Sequence, residues 1–131
     1  VTMVSRAGHS ADLSGPVMTR ALCHFDNAYW LPDVAIHGYS GKTNTQSNTA
    51  FRGFGGPQGM FGIETVIDDI ARQLGKDPLE VRRINLYQDP AVSGDPGSLI
   101  TQYNQPIEDW IGDRVIAQAR EVIARLTGRP G

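Results

Sequence analysis

The run Phe51-Arg52-Gly53-Phe54-Gly55-Gly56-Pro57-Gln58-Gly59 constrains the fold most. Three glycines and two aromatic rings share the six positions from Phe51 to Gly56, and five of the chain's fifteen glycines stand between Gly53 and Gly62. Helix and strand interiors are weakened by glycine at that density, so the run predicts a loop. Pro57 can then start a helix, since its φ is preset and its missing N–H costs nothing there. Behind it Met60, Ile63, Ile67, Ile70 and Leu74 recur at spacings of three and four. That spacing predicts the core stripe of an amphipathic helix, ended by Gly75.

The rest of the chain falls around this unit. Val1-Thr2-Met3-Val4 reads as a short strand. Asp12 is the expected cap of a helix reaching about Phe25, with Val17, Met18, Ala21, Leu22 and Phe25 as its stripe. Residues 33–40 read as an edge strand and 41–49 as a polar loop. Asp77-Pro78-Leu79-Glu80 opens another helix, with Asp77 as cap, Pro78 at the first helical position and Glu80 completing a capping box. Residues 88–105, holding Pro90, Gly94, Pro96 and Gly97, read as a loop. Pro106 is the expected start of a last helix with Ile111, Val115, Ala119, Val122 and Leu126 on one stripe, and 126–131 read as its stop and an open end.

Four helices and two or three short strands in this order predict an α+β fold, two-layered and helix-rich with a small sheet. The order does not alternate strictly, which argues against a parallel α/β sheet. At 131 residues the chain has room for one domain, taken as 1–131. A net charge of −2 supplies no electrostatic reason to expect nucleic acid or an anionic membrane. One cysteine cannot form an internal disulfide. No apolar stretch is long enough for a membrane span. With no initiator Met and no visible targeting segment, the chain reads as a piece of a longer cytoplasmic protein.

Several motif-like runs fail on their own terms. Gly41-Lys42-Thr43 ends like a phosphate-binding loop, but Ile36 stands where the first glycine belongs and a polar loop follows instead of a helix. Gly53-Phe54-Gly55-Gly56 begins like a dinucleotide fingerprint, but the third glycine would fall at Gln58. His9, His24 and His37 lie far apart and form no cluster with ligand spacing, so no metal ligation by side chains is expected. Cys23 lies near an apolar stripe and reads as a small buried thiol.

The glycine loop has two readings, a tight turn before a helix or a ligand loop. A turn does not need large rings. Glycines permit close approach to a ligand, the helix N-terminus is positive and suits an anionic or oxo group, and Phe54 offers a ring to a flat substrate. Arg20 lies off its helix's apolar stripe. For a generic helix that describes a solvated surface residue. If the helix edges a pocket, Arg20 would bind a carbonyl and stabilise negative charge developing there.

The segment Ser47-Asn48-Thr49-Ala50-Phe51-Arg52-Gly53-Phe54-Gly55-Gly56-Pro57-Gln58-Gly59 closely resembles the signature of the xanthine dehydrogenase and xanthine oxidase family of molybdenum hydroxylases. The resemblance extends through Thr19-Arg20-Ala21-Leu22-Cys23-His24-Phe25-Asp26-Asn27-Ala28-Tyr29 upstream and 77–87 downstream. It covers about residues 9–87 and is looser from 88 to 131. It implies an internal fragment of the molybdopterin-binding large subunit. The parent would oxidise hypoxanthine to xanthine and xanthine to urate at a molybdenum–molybdopterin centre. Iron–sulfur clusters, FAD and NAD would carry the electrons elsewhere in the parent.

By the same resemblance Arg20 matches the substrate-binding arginine that holds a purine carbonyl and assists catalysis. Phe54 matches the phenylalanine that packs on the purine ring. Arg52 matches a cofactor-binding position, with Phe51 and Gly53 beside it near the metal centre. Aldehyde oxidases usually lack an arginine at the position of Arg20, so Arg20 with Phe54 favours a purine over an aldehyde. Cys23 departs from the family, which often carries a bulkier apolar residue there. The general-base glutamate of the family, a second substrate-binding glutamate and a glutamine near the metal's oxo group have no match here. Glu64, Glu80, Glu108 and Glu121 read as solvated or capping residues.

The expectation is therefore a fragment that neither holds the cofactor nor turns over alone. Its partners would be the rest of the large subunit and the FAD and iron–sulfur portions, and its cut surfaces would drive self-association, by exchange of the terminal helix for example. The rivals are an aldehyde oxidase relative and a non-catalytic scaffold module.

Overall fold

A computed structural model describes residues 1–128. Strand β1 runs Thr2–Gly8, helix α1 Ser14–Cys23, strand β2 His37–Lys42, helix α2 Gly56–Leu74, helix α3 Pro78–Asn85, the single turn α4 Pro90–Ser93, and helix α5 Gly112–Thr127. The fold is α+β and helix-rich, as expected. Its two strands nevertheless pair in parallel, from Thr2 with His37 to Arg6 with Gly41, and Gly8 with Lys42 beyond a bulge. Antiparallel neighbours can share a tight turn, but parallel ones need a long crossover, and α1 lies on it. The β1-α1-β2 unit thus places α1 against the small sheet: a side chain at Gly38 of β2 would meet Met18 of α1 within 3 Å.

Local chemistry explains most boundaries. Pro16 sits in the first turn of α1, where proline is tolerated. Asp12, expected as the cap, has φ 39 and is not the N-cap residue; Leu13 takes that place and makes no side-chain cap bond. Helix α2 ends at Gly75 with φ 64, the left-handed closure that the sequence implies. Asp77 caps α3 by accepting from the Leu79 N–H at 2.7 Å, with Pro78 in the first turn. Glu80 reaches Lys76 at 3.7 Å. Inside the expected 88–105 loop, Asp89 caps the short α4 by accepting from the Ala91 N–H.

The core joins Phe25, Tyr29, Ile63, Ile67, Ala71, Val81 and Leu86, with Trp110 and Ile116 packed at its edge. The inner face of α2 is Gly56, Gly59, Ile63, Ile67 and Ala71. Ile63 and Ile67 are where the stripe put them, but Met60, Ile70 and Leu74 are exposed. The face is turned because α1 crosses close to the start of α2, and only glycine fits there. A Cβ at Gly55 would overlap the Val17 carbonyl oxygen, and one at Gly59 the Ala21 carbonyl oxygen.

The last helix departs furthest from expectation. It starts at Gly112, not Pro106, because Pro106 is held in a bridge to Ile100. Ile111, Val115, Val122 and Leu126 are exposed, and α5 buries no residue. Gly128, with φ 66, closes it. The expected open end at 129–131 lies outside the described residues.

Candidate functional site

Helix α1 divides its surface between two tasks. Met18 and Ala21 go into the core, followed by Phe25 just beyond the helix. Pro16, Thr19, Arg20, Cys23 and His24 recur at three- and four-residue spacing on another face. That face forms one wall of an open cleft of about 440 Å³, and Phe54 of the glycine loop completes it. Arg20 and Phe54, 34 positions apart, are therefore brought to one cleft. Arg20 is exposed, and its guanidinium has no ion pair or side-chain hydrogen bond among those assigned in the described residues.

Cys23 lines this cleft and is exposed, which overturns the expected buried thiol. The reason is its phase on α1: it lies three residues after Arg20, on the cleft side, while Met18 and Ala21 take the inward side.

The loop that carries Phe54 is wound tightly. Gly53, Phe54 and Gly55 have φ values of 91, 51 and 104, three left-handed residues in succession. Glycine adopts this conformation freely, whereas a phenylalanine there is strained by about 1–3 kcal/mol. The surroundings hold it. The Phe54 N–H donates to the Phe51 carbonyl at 2.9 Å and the Gly56 N–H to that of Gly53 at 3.0 Å. Gly55 is seated on the α1 backbone at Val17 and Ala21. A Cβ at Gly53 would strike the Pro57 ring at 2.5 Å. The glycines are thus needed first for the chain's own contacts. Phe51 is 79 % exposed, and Arg52 and Gly53 are exposed beside it.

A second cluster joins the segment after α1 to α2 and α3 and was not foreseen. Glu64 on α2, expected as solvated, accepts from Asn27 Nδ2 at 2.9 Å, from the Tyr29 hydroxyl at 2.6 Å and from Arg82 Nε at 2.8 Å. Arg82 also donates to Asp68 at 2.8 Å. Burial alone would raise the Glu64 pKa, but these donors outweigh it and hold the carboxyl below its ordinary 4.5. Burial, and then the bond to Glu64, push the Tyr29 hydroxyl above the usual tyrosine range. Nearby, Tyr87 donates to the buried Asp26 at 2.6 Å and stacks edge-on to Trp110. No spacing rule links Glu64 to Arg82, which sit on different helices.

Among the described residues no group of three or more His, Cys, Asp or Glu could hold a metal ion, and no helix is long and apolar enough to cross a membrane. The groups near the loop suit an anionic ligand. Arg52 is an exposed cation, Gly53 leaves the backbone bare, and the positive end of α2 follows.

The chain belongs to the molybdopterin cofactor-binding domain family, whose profile matches residues 1–86. Its relatives include the xanthine dehydrogenase/oxidase of Gallus gallus, 53% identical over 110 residues, and the xanthine dehydrogenase of Drosophila pseudoobscura pseudoobscura, 49% identical over 112. These alignments cover 84% and 86% of this chain and 8% of each relative. The nicotinate hydroxylase of Emericella nidulans is 44% identical over 118 residues, covering 89% of this chain and 8% of its own. The aldehyde oxidoreductase of Desulfovibrio desulfuricans shares the fold with a TM-score of 0.69 at 26% identity, over 98% of this chain and 14% of that structure. The chain thus spans about 8% of the length of the curated relatives it matches.

Proposed function

We propose that this chain is one segment, acting as a single unit over 1–131, of a cytoplasmic xanthine dehydrogenase, and that it supplies part of the purine-binding wall beside the molybdenum cofactor. The observation that carries the reading is the shared cleft of Arg20 and Phe54. An oxopurine such as hypoxanthine or xanthine is flat, aromatic and edged with one or two carbonyls. Phe54 would take a ring face, and the Arg20 guanidinium would donate to a carbonyl oxygen and stabilise the negative charge that builds on it during attack on the ring.

Arg52, Phe51 and Gly53 would hold the cofactor, as an uncommitted cation, a ring and bare backbone beside a helix N-terminus. When bound, the molybdenum group supplies the oxidising and oxygen-transferring chemistry, with electrons leaving through iron–sulfur clusters and FAD to NAD in other parts of the parent. No carboxylate lines the cleft; the glutamate base that the family resemblance calls for would come from the remainder of the subunit. The isolated chain is therefore expected to be inactive, and stoichiometric molybdenum or urate formation by it would overturn this reading.

The test is Arg20→Met in the full-length enzyme. Xanthine kcat/KM is expected to fall about 10²–10³-fold, the usual effect of removing a donor from developing negative charge. Turnover of a small aldehyde should hardly change. Equal loss for both substrates would refute the assignment. The 44% identity to a nicotinate hydroxylase favours one second reading, a nitrogen heteroaromatic whose carboxylate meets Arg20. Nicotinate turnover exceeding that of xanthine would select it.

A further inference from the structure

The cleft has two arms on two elements. Arg20 rides on α1, and Phe54 sits at the start of α2, so the cleft's width follows from how α1 lies against α2. Close to the cleft, Gly55 and Gly59 seat α2 on the α1 backbone. Beyond the end of α1, the chain turns at Asn27, whose φ is 48, and is caught again: Asn27 Nδ2 and the Tyr29 hydroxyl both donate to Glu64 Oε1. The other carboxylate oxygen, Oε2, is taken by Arg82 of α3. Backbone bonds add to this staple, from the Trp30 N–H to the Asn85 carbonyl at 2.9 Å and from the Tyr87 N–H to the Ala28 carbonyl at 3.1 Å.

We propose that Glu64 is a positioning residue for the substrate cleft, tying the exit of α1 to α2 and α3 so that Arg20 stays at its working distance from Phe54. This rests on the purine reading given above. Glu64 does not line the cleft and acts only through the two helices. Its carboxylate can meet three donors because it is an acceptor at both oxygens. A glutamine there keeps the Asn27 and Tyr29 bonds but turns an NH₂ toward Arg82, donor against donor. A phenylalanine at Tyr29 does the reverse, removing one bond to α1's exit and leaving the Arg82 pair whole.

The experiment uses the full-length, molybdenum-loaded enzyme with Glu64→Gln, Tyr29→Phe and Arg20→Met, alone and combined. Xanthine is compared with unsubstituted purine, which offers Phe54 the same ring and Arg20 no carbonyl. Glu64→Gln and Tyr29→Phe are each expected to lower xanthine kcat/KM at least fivefold more than purine kcat/KM. Neither should lower it further once Arg20→Met is present. Equal losses on both substrates, or unchanged losses in the Arg20→Met background, would reduce Glu64 to a stability role and overturn the proposal.

A crystal structure of each variant gives the readout that needs no substrate assignment. The end of α1 should be displaced from α2 with the cleft widened, and an undisturbed α1 overturns the positioning role whatever the kinetics. Arg20→Met without substrate selectivity, alongside a displaced α1, would instead refute the purine reading and leave the positioning role standing.

Discussion

Residues 2–87 and residues 88–128 are built by different rules. In the first region every element contributes to one core or is clamped to it, and glycines let backbones meet where side chains would not fit. In the second, most of α5's apolar face is exposed, and among the described residues the apolar contacts with the core come from Trp110 and, on α5, Ile116. The first region is also the part matched by the family profile. The contrast teaches that amphipathicity marks a helix face that wants covering, without saying that the cover lies in the same chain.

The sharpest way to break this contrast is at the glycine crossing. Gly55→Ala adds a methyl against the Val17 carbonyl at a left-handed position, and should cost on the order of 4 kcal/mol of stability in urea unfolding. A shift under about 1 kcal/mol would mean that the two helices are not locked there. Next in size, Ile67→Ala should cost about 3 kcal/mol, whereas Val122→Ala on α5 should stay within about 0.5 kcal/mol. Comparable losses would place α5 in the core after all.

Acid sharpens the same comparison. Because the Glu64 pKa is held below its ordinary 4.5, its contribution is present above that value and is lost as pH falls through the lower folded pKa. Wild type should therefore lose stability below about pH 4.5 more steeply than Glu64→Gln, read by far-ultraviolet circular dichroism. Parallel curves would show that Glu64 is not ionised in the folded network. The smallest effect on stability is expected for Leu126→Glu, which should leave the unfolding midpoint in place while reducing self-association in sedimentation. An isolated chain that stays monomeric at high concentration would contradict the expected self-association of the exposed face.

Much of the first region was legible because local chemistry governs it. Gly75 and Asp77-Pro78 mark their helix ends, and Ile63 and Ile67 lie on the inner face. The face itself was misread at Met60, Ile70 and Leu74, since a stripe of large residues is easier to see than one begun by Gly56 and Gly59. Parallel pairing of β1 and β2 was missed because the β-α-β order occurs only once. Arg20 and Phe54 were visible as candidates, yet nothing in their spacing says that they meet; a helix crossing brings them together. Glu64 was invisible for the same reason, its donors coming from two other segments, the exit of α1 and helix α3.

The central claim is that Arg20 and Phe54 hold one purine between them. The most direct measurement is a crystal structure of the full-length enzyme with a slow purine substrate bound. The account expects a carbonyl oxygen within about 3 Å of the Arg20 guanidinium and the ring packed on Phe54. A substrate seated elsewhere, with Arg20 facing solvent, would contradict it.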